Sequence, residues 1–194
     1  IDRTSRALAN DPALTPVYVL MIDIDRFKMV NDALGHEAGD SLLSVLGRRL
    51  STELGPADSI ARLPGDQFAI LFVDETGDRD IAAFCEGIRT AVARPINLDT
   101  GEIFLSCCIG VAHYRQDGLT ADQLLKDAAI ALYEAKRRGG GFIEVFDSAM
   151  RDERGERELA TLLLADLSLS TEAHVDDQQR VIDVVRDALY VFGE

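Results

Sequence analysis

Apolar residues run unbroken from Val17 to Ile22 and extend as VYVLMIDI to residue 24, the pattern of a buried strand that delivers polar groups at its C-terminal end. Phe27 to Leu34 switches to helical spacing and Gly35 breaks it. Gly39-Asp40 then leads into SLLSVLGRRLSTEL, where Leu42, Leu43, Leu46 and Leu50 make one apolar stripe, so two helices are predicted after the first strand. Ser59 to Leu63 and Phe68 to Val73 read as strands joined by a short turn, a hairpin. Ile81, Phe84, Cys85, Ile88 and Val92 predict a helix over 78–93, and Gly101 opens a strand through IFLSCCIGVAHY. Thr120 caps a further helix to about Arg138, and Phe142 to Phe146 closes the sheet.

The order β-α-α-β-β-α-β-α-β contains a ferredoxin-like βαββαβ core, an α+β class with helices on one face of an antiparallel-rich sheet. Residues 1–147 form this domain. Over 148–194 the chain becomes a charged helical extension with Leu159, Leu162, Leu163 and Leu167 on one side, then Val181, Ile182, Val185 and Leu189. No repeat or low-complexity segment interrupts it.

Composition narrows the partners. With 194 residues, 47% of them apolar, the chain can bury a proper core. A formal charge of −14 argues against nucleic acid and direct membrane contact, because phosphate-rich surfaces need basic ones. The longest apolar runs are strand-sized and no signal-peptide pattern opens the sequence, which points to the cytoplasm. Cys85, Cys107 and Cys108 lack C-x-x-C spacing and read as buried thiols.

Asp23 and Asp25 lie two apart on the first strand, so their side chains leave one face roughly 7 Å apart. Either they end a strand in solvent or they hold a cation. If the hairpin pairs beside the first strand, Asp66 reaches the same place and supplies hard oxygen ligands suited to Mg²⁺.

Four longer stretches occur in order: MIDIDRFKMVNDALGHEAGD (21–40), ARLPGDQFAILF (61–72), CCIGVA (107–112) and ADQLLKDAAIALYEAK (121–136). Together they resemble the GGDEF family, the diguanylate cyclases of bacterial cyclic-diguanylate signalling, over about residues 5 to 147. The resemblance implies a nucleotidyl-cyclase-like variant of the ferredoxin fold and two domains meeting face to face as a homodimer. Each would hold one GTP with Mg²⁺, or Mn²⁺ in its place, so that each 3′-hydroxyl attacks the other α-phosphate. It implies metal ligands at Asp23, the Ile24 carbonyl and Asp66. Asn31 and Asp40 match the guanine-reading pair, Phe27, Gly65 and Lys136 the remaining substrate contacts, and Asp66, Gln67 and Lys28 the catalytic positions. Gly35, His36 and Gly39 match scaffold positions.

The departures set the expected activity. The signature Gly-Gly-Asp/Glu-Glu-Phe is here Pro64-Gly65-Asp66-Gln67-Phe68. Gln67 keeps the size of Glu but cannot act as a base, and Pro64 removes an N–H from a loop that glycines usually build, while Pro64-Gly65 suits a type II turn. Gly140 stands at the position of a triphosphate-binding arginine, with Arg137 and Arg138 as candidate replacements. The R-x-x-D of the inhibitory product site is GPAD, Gly55 to Asp58, so no product inhibition is expected there. These changes predict a degenerate domain that binds GTP and Mg²⁺ weakly or serves as a regulatory or dimerising module. The alternative is a slow but working cyclase. Residues 147–167 resemble the linker to a phosphodiesterase EAL domain, so an EAL or sensory neighbour is expected.

Overall fold

The computed structural model describes residues 16–98, 101–114 and 120–152. Its elements are β1 (Val17–Ile24), α1 (Phe27–Leu34), α2 (His36–Ser51), β2 (Ser59–Arg62), β3 (Gln67–Val73), α3 (Ile81–Ala93), β4 (Ile96–Leu98), β5 (Gly101–Ile103), β6 (Cys107–His113), α4 (Ala121–Arg137), β7 (Ile143–Val145) and α5 (Ala149–Asp152). The helical expectations over 153–194 lie outside the described residues.

The main sheet has the order β2-β3-β1-β6-β7, with every pairing antiparallel except β6 with β7. Its first four strands form the expected βαββαβ core. The helices, however, are not confined to one face. Even-numbered β1 residues such as Leu20 and Ile22 pack with Leu42, Leu46 and Leu50 of α2 and Ile88 of α3. Odd-numbered Val17, Val19 and Met21 pack instead against Leu124, Ala128, Leu132 and Ala135 of α4. A strand that is apolar at successive positions needs cover on both sides, and α4 provides the second layer.

A second difference concerns residues 101–114. They form two strands, and β5 turns back on β4 as a separate small hairpin paired through Ile96 and Ile103. The break at residues 104–106 frees Ser106 to meet Asp25, a tertiary demand invisible in the apolar pattern. The Thr120 cap is as expected, its Oγ1 accepting from Gln123 N–H at the head of α4, whereas α3 starts not at 78 but at Ile81, where the Asp80 carboxylate accepts from Ala82 and Ala83 N–H.

Gly110 sets the spacing between layers. A Cβ there would fall 2.1 Å from the Leu132 backbone nitrogen and 2.2 Å from the Ala128 carbonyl oxygen, so only glycine lets α4 lie this close to β6. The closeness matters at the C-terminal end of α4, which reaches the end of β1.

Candidate functional site

Antiparallel register places Asp23 opposite Gln67, and the Ile24 N–H donates to the Asp66 carbonyl at 3.3 Å. The hairpin therefore brings its tip to the end of β1, as the sequence required if Asp66 was to join Asp23. At that tip the Leu63 N–H donates to the Gln67 carbonyl at 2.9 Å, and Gly65 has φ 80°, the left-handed region that glycine adopts without strain. The turn itself falls on Gly65 and Asp66.

Asp23 is 3% exposed. Its Oδ2 accepts from Gln67 Nε2 at 2.9 Å and pairs with Lys136 Nζ at 2.7 Å. Because a carboxylate only accepts, the Gln67 group facing it must be the amide NH₂. A buried carboxylate needs such compensation, since an unpaired charge costs several kcal/mol or more. Lys136 itself is half-exposed at the last turn of α4.

Asp25 does different work from Asp23. Its Oδ2 accepts from Ser106 Oγ at 2.6 Å and from the Gly141 N–H at 2.8 Å, and its Oδ1 accepts from the Cys108 thiol at 3.2 Å. It ties the chain after α4 to the end of β1. Arg26 follows with φ 57°, the left-handed region, and turns the chain directly into α1. A non-glycine residue there carries strain of about 1 kcal/mol.

Helix α1 carries Phe27, Lys28 and Asn31. Phe27 is buried and Lys28 exposed. Asn31 Oδ1 is buried and finds no hydrogen-bond donor among the described residues. It lies over Gly39, where a Cβ would be 1.9 Å away, so the glycine of α2 is what makes room for the amide. Asp40, one residue on, is 71% exposed and pairs with Arg62 at 2.9 Å, linking α2 to the strand that enters the hairpin. His36 opens α2 and is exposed.

The expected metal ligands fit a hard divalent cation in kind. Asp23, Asp66 and the Ile24 carbonyl all offer oxygen, and the strand register brings the backbone of Asp66 beside that of Asp23 and Ile24. Yet Oδ2 of Asp23 already takes two donors, and among the described residues no cluster of three or more His, Cys, Asp or Glu side chains forms a ready cage. Gly140 leaves room for Asp25 rather than presenting a cation. Arg137 pairs with Glu134 at 3.0 Å, and Arg138 pairs with Glu144 while covering the Phe142 ring.

Sequence reasoning missed Arg79. Asp58, whose side chain is fully buried, accepts from Arg79 Nη1 and Nη2 at 2.7 and 2.6 Å and from the Val73 and Gly55 N–H groups. Burial works to raise the Asp58 pKa, but these hydrogen bonds and the Arg79 charge outweigh it and hold it below the ordinary value. The guanidinium stacks on Phe72 at 4.0 Å. The aspartate of GPAD is turned inward.

Comparison with known proteins follows the same lines. The family model described as "Diguanylate cyclase, GGDEF domain" matches residues 2–141. The diguanylate cyclase TpbB of Pseudomonas aeruginosa is 38% identical over 82% of this chain and 38% of its own length. The cyclic di-GMP phosphodiesterase NbdA of the same organism is 34% identical over 66% of this chain and 16% of its own length. Among solved structures, the isolated GGDEF domain of TpbB superposes with a TM-score of 0.67 at 34% identity, covering 78% of this chain and 87% of that one. An EAL/GGDEF domain protein from M. capsulatus gives 0.64 at 35% identity, covering 74% and 92%. The chain thus spans well under half the length of these curated relatives and nearly all of the solved domains.

Proposed function

Since this chain belongs to the family of diguanylate cyclase GGDEF domains, we propose that it is a GGDEF domain of cyclic-diguanylate signalling that has lost turnover and binds GTP weakly. It serves a longer cytoplasmic protein as a regulatory or dimerising unit. The observation that carries this reading is the hydrogen bond from Gln67 to Asp23. A carboxylate at 67 could take a proton or bring a negative charge to a cation, whereas the amide does neither and donates to an oxygen of its neighbour.

In this reading Asn31 and Asp40 meet the guanine edge, an amide and a carboxylate suited to its donors and acceptor. Lys28 and Lys136 face the triphosphate, and Phe27 and Gly65 shape its bed. Asp23, Asp66 and the Ile24 carbonyl would hold Mg²⁺ or Mn²⁺. When bound, such an ion supplies charge stabilisation at the phosphates and acidifies the attacking hydroxyl. Pro64 withholds an N–H from the phosphate loop, and Gly140 withholds a guanidinium. Each lost transition-state contact commonly costs on the order of 10²-fold.

Relatives named both as a cyclase and as a phosphodiesterase, each much longer than this chain, support a neighbouring EAL or sensory domain as the partner being regulated. A second reading, a slow cyclase acting as a homodimer, is favoured by the retention of Asp23, Asp66, Asn31, Asp40, Lys28 and Lys136. One assay separates them: the full 194-residue chain, incubated with GTP and Mg²⁺ and examined by chromatography, should yield no cyclic diguanylate. Clear product at substoichiometric protein would establish the cyclase instead. Calorimetry with GTP then distinguishes a nucleotide-binding domain from a purely structural one.

A further inference from the structure

We propose that Gln67 and Lys136 together stand in for a divalent cation at Asp23, so that this corner is complete without metal and admits a cation only in exchange for the Lys136 ammonium. The inference rests on the family reading for the identity of the corner, but its content concerns this chain's own residues. Asp23 is 3% exposed and has two donors converging on one oxygen, Gln67 Nε2 at 2.9 Å and Lys136 Nζ at 2.7 Å. The first is neutral and fixed by the register of β1 with β3; the second carries the charge that balances Asp23.

Residue 67 therefore sets how much the corner needs a cation. An acid there would lie beside Asp23, and two adjacent carboxylates favour either a shared proton or a positive ion. The amide removes that demand and adds a hydrogen bond. Lys136 is half-exposed at the end of a helix held against β6 by backbone contact at Gly110, so its side chain can swing into water while its Cα stays in place.

The test uses the full chain without nucleotide and Mn²⁺ as the probe. Thermal unfolding is followed in EDTA and in millimolar Mn²⁺, and Mn²⁺ binding is read from the loss of the free-ion paramagnetic resonance signal. The unsubstituted chain should unfold at the same temperature in both. Gln67→Glu and Lys136→Gln should unfold earlier in EDTA, recover with Mn²⁺, and bind it about tenfold more tightly or better, as ligand charge dictates. Lys136→Arg, which keeps the charge and donors, should behave as the unsubstituted chain. If Lys136→Gln does not fold in EDTA, Gln67→Glu decides through its Mn²⁺ affinity alone. Equal Mn²⁺ affinity in the unsubstituted chain and Gln67→Glu would overturn the inference and leave the loss of turnover untouched. Cyclase product, by contrast, would overturn only the loss of turnover.

Discussion

Asp25 gathers Ser106, Cys108 and Gly141 onto one carboxylate, and Gly140 lies over it so closely that a Cβ would fall 2.8 Å from Oδ2. Any side chain at 140 would therefore have to shift the Asp25 carboxylate. Gly140→Ala should cost about 1–2 kcal/mol in urea unfolding, the usual range for overpacking. Gly87→Ala provides the contrast. That glycine sits inside α3 with nothing within 4 Å of the added methyl, so the substitution should stabilise by about 0.5–1 kcal/mol. Equal effects at the two positions would mean that the Asp25 contact is not what restricts residue 140.

At the scale of elements, two contacts join segments distant in sequence. The α4 backbone rests directly on Gly110 of β6, and Gly110→Ala must push helix and sheet apart, costing about 3 kcal/mol or more and loosening the Lys136–Asp23 pair with them. Denaturant titration and the recovery of folded protein report the first effect. The other contact joins the loop before β2 to the loop before α3 through Asp58 and Arg79. The folded-state pKa of Asp58 lies below its unfolded value near 3.8, so its contribution is fully present above that pH and is lost as pH falls through the folded value. Stability should accordingly drop below about pH 4, and Asp58→Asn should flatten that drop while costing on the order of 2–3 kcal/mol at neutral pH. Melting curves at stepped pH for both proteins test this, and parallel acid limbs would assign the loss to other carboxylates.

Over the whole molecule, the three thiols follow the fold. Cys85, Cys107 and Cys108 are all buried, and burial pushes the Cys85 thiol up to about 12 and the Cys107 thiol higher still. A thiol-exchange reagent at pH 8 should therefore label none of them until the chain unfolds; rapid labelling under native conditions would show local opening of the core. The buried-thiol reading, the β1 run, the helical stripes and the hairpin tip were legible because each is a local pattern. The second helical layer was not, since a run such as VYVLMIDI records burial without saying what covers each face. Nor was the β4–β5 hairpin, whose three-residue strands leave too few positions for a period to emerge. At the site, retention of Asp23 and Asp66 could be read from their motifs. The diversion of Asp25 to Ser106 and Gly141, and of Asp58 to Arg79, depends on partners 81, 116 and 21 residues away. The Lys136–Asp23 pair also has a consequence in time. Because α4 is seated on β6 by backbone, Lys136 leaves Asp23 by turning about its own bonds, and the barrier is the cost of breaking a 2.7 Å pair to a buried carboxylate. Exchange at this corner is then a side-chain event, with no helix or hairpin having to move.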